Sequence, residues 1–232
     1  MLRGAAGVEH LELRAAWLGL EPEQMAADRL IRRHQGAVVS HASAARLHQL
    51  GDLEADRHEF TFPTRKQTRR TDVRLHRGVL TPAEVVTVAG LPTTTPERIV
   101  VDLLDDRHDG EHIARVLASA VRSRSIDLDR LAPRLARFAA RFDFAAGEGE
   151  RVLDHLLEVG GALDQVVADN LVNIARAQNL TVVEAMARAA QGVRVDPAVM
   201  EAMARAAWGA PETGIRGPAS RRALKALEGG SD

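Results

Sequence analysis

The chain has 232 residues, 31 basic and 32 acidic side chains, a net charge of −1, and neither Cys nor Tyr. Without Cys there are no disulfides, thiolate zinc sites or cysteine nucleophiles. The near-neutral balance excludes nucleic-acid binding by bulk charge and leaves only a local cationic patch for that role. No stretch reaches the roughly 18 apolar residues of a membrane helix, and residues 1–7 carry no long apolar run, so a cytoplasmic protein without a membrane partner is expected.

Hydrophobic content is 45% and aromatic content only 3%, so the core must be built from Leu, Val, Ile and Ala. From the start, Val8 to Gly19 places Leu11, Ala15 and Leu18 at helical spacing. Glu21-Pro22 interrupts this pattern, and a second helix is predicted from about Glu23 to His34, stopped by Gly36. Ala37-Val38-Val39 reads as a short buried strand. Ser40 then offers an N-cap oxygen to a helix over His41 to Leu50, ended by Gly51.

The pattern turns to β from Arg57 to Thr94. His58 to Phe62 and Asp72 to Arg77 alternate, with Val73 and Leu75 on one face and Arg74 and His76 on the other. Val85 to Ala89 and Leu91 to Thr94 flank Gly90 as a tight strand–turn–strand. Thr95-Pro96 opens a helix with Ile99, Val100, Leu103 and Leu104 on its apolar face. Gly110 to Val121 is the next helix. Asp127 caps a third, whose apolar spacing runs through Leu128, Leu131, Leu135, Phe138 and Phe142, with Pro133 as a kink or a late start. Gly147 to Glu158 is a fourth helix, broken by Gly160-Gly161.

Beyond Gly161, Leu163 to Gln178 and Thr181 to Gln191 read as helices joined by a short turn, and Asp196-Pro197 opens another. A Gly/Pro-rich linker from Gly209 to Gly217, a basic stub from Ser220 to Leu227 and a disordered tail complete the reading. The expected class is therefore α/β (α+β), with a small, mostly antiparallel or mixed sheet covered by helices and followed by an all-helical block. Three segments are expected: 1–36 helical, 37–160 α/β, and 161–232 a helical extension.

The sharpest candidate site is cationic. Between Arg57 and Arg77 stand seven Lys or Arg against two acids, Glu59 and Asp72. Arg65, Lys66, Arg69 and Arg70 occupy a polar run between two strands, and Arg74 and Arg77 follow it. Such a loop can address phosphate oxygens or an acidic protein partner. It can equally be a solvated hairpin tip that keeps a sheet edge from aggregating. Val166 to Gln191 has the spacing of a helix-turn-helix. Val182, Val183 and Glu184 make its second helix a poor reader of bases, so an antiparallel helical hairpin fits better.

Catalytic readings are weak. His108 and His112 lie four apart among Asp105, Asp106, Asp109 and Glu111, but Gly110 separates them at a helix start, and no metal is expected. Glu59 has no Lys two residues on, as a restriction-type nuclease would need. There is no Gly-rich phosphate loop and no Gly-x-Ser-x-Gly elbow. No catalytic residue, cofactor or small-molecule substrate is expected.

Three motifs in order resemble the AbiEi family of bacterial antitoxins: Ser40-His41-Ala42-Ser43-Ala44-Ala45, Phe60-Thr61-Phe62-Pro63 with the basic run and Val73 to Arg77, and Gly90-Leu91-Pro92-Thr93-Thr94-Thr95-Pro96-Glu97-Arg98 running into Asp102-Leu103. The motif residues carried by the resemblance are Ser40, His41, Ser43, Thr94, Thr95, Pro96, Arg98 and Asp102. The resemblance implies an antitoxin that neutralises a nucleotidyltransferase-like AbiEii toxin, and repression of the shared operon through an N-terminal winged helix-turn-helix. Only about 36 residues precede the first strand, so that domain is expected to be incomplete, with Met1 to Ala6 as a remnant of a wing strand.

Overall fold

The computed structural model describes residues 10–177. The expectations for Met1 to Ala6, for 178–191 and for everything from Asp196 onward fall outside them. The chain divides into two compact units, 1–116 and 117–232, with the boundary inside one helix.

The first unit opens with α1 (Leu11–Leu20) and α2 (Ala26–Ile31). The buried face of α1 is Leu13, Ala16, Trp17 and Leu20, whereas Leu11 and Leu18 are exposed. This corrects the face expected from Leu11, Ala15 and Leu18. Trp17 explains the rotation, because the largest side chain takes the interior and stacks under the buried Arg29 of α2, 3.7 Å from its ring centroid. At six residues, α2 is also shorter than the expected 23–34.

The sheet has five strands: β1 (Val38–Val39), β2 (His58–Phe62), β3 (Val73–Arg77), β4 (Val85–Val88) and β5 (Leu91–Thr94), in the order β3-β2-β1-β5-β4. It is mixed, as one of the two expected alternatives had it. β1 runs antiparallel to β2 and parallel to β5, and β4 and β5 form a hairpin. The two turn residues of that hairpin, Ala89 and Gly90, have φ of 48° and 77°. Positive φ at both central positions matches the twist of the flanking strands.

β2 and β3 pair in parallel, from His58↔Val73 to Phe62↔Arg77. The basic run between them is therefore not the tip of a hairpin. It is a crossover that returns the chain along the length of β2. This removes the hairpin-tip alternative and leaves an exposed loop within a mixed sheet.

Pro92 sits in an inner strand, where a missing amide has to be answered for. Val39 pairs with Thr93, and Ser40 N donates to Glu59 O, so the Ala37 carbonyl points toward β5 at Pro92. The Trp17 indole N–H donates to that carbonyl at 2.9 Å and replaces the amide that Pro92 lacks.

Helices α3 (His41–Leu47) and α4 (Pro96–Asp105) pack against each other, with α3 also on the sheet. α4 starts as expected, with Thr95 at the N-cap position and Pro96 first in the helix, and buries Ile99, Val100, Leu103 and Leu104. α5 (Gly110–Arg122) spans the boundary between the units.

The second unit holds α6 (Leu128–Leu135), α7 (Gly149–Val159) and α8 (Leu163–Ala177). The Asp127 carboxylate accepts from Arg130 N and caps α6. Pro133 lies inside this helix, which then tightens into a 3₁₀ turn over Ala136–Phe142. The tighter winding turns Ala139 inward and leaves Phe138 and Phe142 half-buried, rather than in the expected apolar stripe. α6 and α7 approach so closely that a Cβ at Gly149 would collide with the Ala132 carbonyl. No helix among the described residues is long and apolar enough to cross a membrane.

Candidate functional site

β2 lies between two strands and is buried along Glu59, Phe60, Thr61 and Phe62, so polar residues on it must find partners inside the protein. Glu59 does so at the start of α3. Its Oε2 accepts from Ala42 N at 2.8 Å, and its Oε1 lies 3.3 Å from His76 Nε2 and 3.6 Å from the Arg74 guanidinium. A carboxylate at a helix start meets both free amides and the positive end of the helix dipole.

Glu59 thus serves where Ser40 was expected to. Ser40 occupies the N-cap position of α3 but makes no capping bond. Its hydroxyl accepts from Thr61 Oγ1 at 2.9 Å and lies 2.9 Å from His41 Nδ1. His41 has a φ of 52°, a left-handed conformation that is uncommon for a residue with a side chain. This turns its ring onto His76, with centroids 3.5 Å apart and planes within 14°. Two imidazolium rings could not share that spacing. Burial, and then the charges of His76, Arg74, Arg98 and His108, push His41 down to about 2, so its ring is neutral at physiological pH. Ser43 completes this end of the cluster, accepting from Glu59 N at 2.9 Å and donating to Arg57 O at 3.1 Å.

The second motif closes the other side. Arg98 donates through Nε to Asp102 Oδ1 at 2.6 Å and through NH1 to Glu84 Oε1 at 3.2 Å. Glu84 Oε2 accepts from both the amide and the hydroxyl of Thr81. Asp102 is 2% exposed, and Oδ2 has no hydrogen-bond partner among the described residues. Burial outweighs the favourable Arg98 contact and raises Asp102 to about 6. Thr94 accepts through its carbonyl from His48 Nε2 at 2.9 Å, and Thr95 N donates to Glu84 O.

The structure therefore brings the motif residues together as a buried polar frame joining β2, β3, α3 and α4. Three members, Glu59, Glu84 and His76, are not predicted from the sequence to hold this frame. The Thr81-Pro-Ala-Glu84 spacing is a capping box that sequence could have shown. For Glu59 and His76 no local signal exists, because their partners are brought by tertiary pairing.

The cationic residues behave differently. Lys66 is tied down, with Nζ donating to Leu20 O at 2.7 Å and standing 4.7 Å from the Phe62 ring centroid. Arg70 pairs with Asp72 at 2.6 Å, and Arg74 with Asp106 at 2.7 Å as well as with Glu59. Arg65, Arg69 and Arg77 are exposed, and no hydrogen bond or ion pair engages them among the described residues. His108 lies 3.4 Å from Asp106, while His112 is exposed on α5, so the two do not form one site.

No curated protein matches the chain. A family model, the AbiEi antitoxin C-terminal domain, matches residues 37–148, from the residue before β1 to the residue before α7. All the motif residues, and Arg65, Lys66, Arg69, Arg70, Arg74 and Arg77, fall within this match. Residues 37–148, just under half of the chain, thus match the family of the AbiEi antitoxin C-terminal domain.

Proposed function

We propose that the protein is an antitoxin that works by binding: it counteracts an AbiEii-type, nucleotidyltransferase-like toxin and performs no catalysis of its own. The observation that carries this reading is the family match over residues 37–148. The chemistry of the motif residues agrees with it. Ser40 is fully buried, its hydroxyl is engaged by Thr61 and His41, and the carboxylate of Glu59 is committed to a helix amide. Such groups hold strands and helices together; they offer a substrate no accessible nucleophile. Contact with a partner falls instead to the exposed Arg65, Arg69 and Arg77, beside the engaged Lys66, Arg70 and Arg74.

Co-expression with the toxin gene from the same operon tests the reading. Growth arrested by the toxin should be restored, and continued arrest in the presence of soluble, folded protein would overturn it.

The same three arginines favour a second reading, repression of the operon by direct contact with operator DNA. Binding should then weaken steeply with salt as counterions are released. A gel shift with the upstream promoter that survives conversion of Arg65, Arg69 and Arg77 to Ala would exclude this surface as the DNA contact.

A further inference from the structure

β3 stands at one end of the sheet, with β2 as its partner and no strand on its other side among the described residues. The phase of its pairing is set by two bonds: His58 N donates to Asp72 O at 2.7 Å, and Gly78 N donates to Phe62 O at 2.8 Å. With the register His58↔Val73 to Phe62↔Arg77, the peptide groups of Arg74 and His76 face β2. Those of Val73, Leu75 and Arg77 point outward. The outer edge of β3 is therefore a row of alternating amide donors and carbonyl acceptors at strand spacing.

Open edges of this kind invite another strand, and many proteins block them with charge. Here the charge has one sign. Arg69 and Arg70 lead directly into β3, and Arg74 and Arg77 lie on opposite faces of it. Both acids between Arg57 and Arg77 are already engaged, Glu59 inside the cluster and Asp72 with Arg70. Arg69 and Arg77 have no carboxylate among the described residues. Such an edge repels a second copy of itself but attracts an acidic strand.

We infer that the outer edge of β3 is a docking site for an extended, acidic peptide segment of the protein partner. The segment adds as a sixth strand, with Asp or Glu side chains meeting Arg77 on the strand and Arg69 just ahead of it. Main-chain bonds to Val73, Leu75 and Arg77 supply the attachment, and the arginines supply selectivity. A nucleic-acid backbone suits this edge less well, because phosphates offer acceptors only and leave the three outward carbonyls without donors. The inference deepens the antitoxin reading and rests on it for the identity of the partner.

The test uses the full chain and a short synthetic peptide alternating Glu with Val. Amide exchange followed by NMR should show the Val73, Leu75 and Arg77 amides slowed about tenfold or more at saturating peptide, equivalent to ~1.4 kcal/mol of added protection. The same peptide N-methylated at alternate residues should not bind. The R69E/R77E variant should lose binding at least tenfold while keeping its circular dichroism spectrum. Equal binding of the methylated peptide would overturn the inference, since charge alone would then explain the attraction. So would protection of the same amides by duplex DNA, self-association through this edge, or undiminished binding by R69E/R77E. Toxin neutralisation is measured in parallel: a wild-type chain that neutralises toxin but ignores the peptide removes the docking site and leaves the antitoxin reading standing.

Discussion

The buried polar frame and the cationic edge share strand β3 and follow opposite rules. In the frame, Ser40, Glu59, Thr61 and Arg98 each bond to other members or to the helix start. At the edge, Arg69 and Arg77 are exposed with no partner among the described residues. The frame residues are buried or half-buried and bonded to one another, whereas the edge residues present charge to solvent. The contrast teaches that one strand can bond inward through its polar side chains and still present unpaired charge outward.

Removing the centre of the frame should have the largest effect. Glu59→Ala uncaps α3, leaves His76 without its carboxylate and leaves Arg74 with Asp106 alone, so urea denaturation should show a loss of about 3 kcal/mol or more, the range for breaking a buried network. A loss below about 1 kcal/mol would mean that the cluster relaxes around the gap.

Acidification should separate the two most shifted members. His41 is lowered from 6.5 to about 2, so only the unfolded chain takes up its proton as pH falls below 6.5, and stability drops. Asp102 is raised from 3.8 to about 6, so the folded chain takes up its proton first, and stability rises as pH falls from about 6 toward 3.8. Between pH 6 and 4 the two oppose each other. Asp102→Asn leaves the His41 contribution uncompensated and should steepen the loss of stability by up to ~1.4 kcal/mol per pH unit. His41→Asn should do the reverse. Stability curves at pH 7, 6 and 5 that stay parallel to wild type would break the argument.

Thr61→Val deletes one donor to Ser40 and should cost about 1 kcal/mol. The smallest effect belongs to the edge, where Arg69→Ala and Arg77→Ala should each change stability by less than about 0.5 kcal/mol. If either destabilised the chain as much as Thr61→Val, the division between frame and edge would fail.

Much of this was legible from local chemistry. Strand limits at His58–Phe62 and Leu91–Thr94, the Thr95-Pro96 helix start and the Gly160-Gly161 stop follow from alternation, capping and glycine, each decided within a few residues. The β4–β5 hairpin was legible for the same reason, since its turn residues are its own signal. The apolar face of α1 was misread because Trp17 answers to Ala37 and Arg29, neither of them in that helix.

The sequence by itself determined the elements, the aliphatic core and the surplus of cations between Arg57 and Arg77. Only the tertiary structure decided that β2 and β3 run in parallel, that Glu59 rather than Ser40's hydroxyl meets the start of α3, and that His41 stacks on His76. Strand direction, cap identity and ring stacking join residues far apart in the chain, and their free energies depend on burial and geometry that no short window of sequence contains.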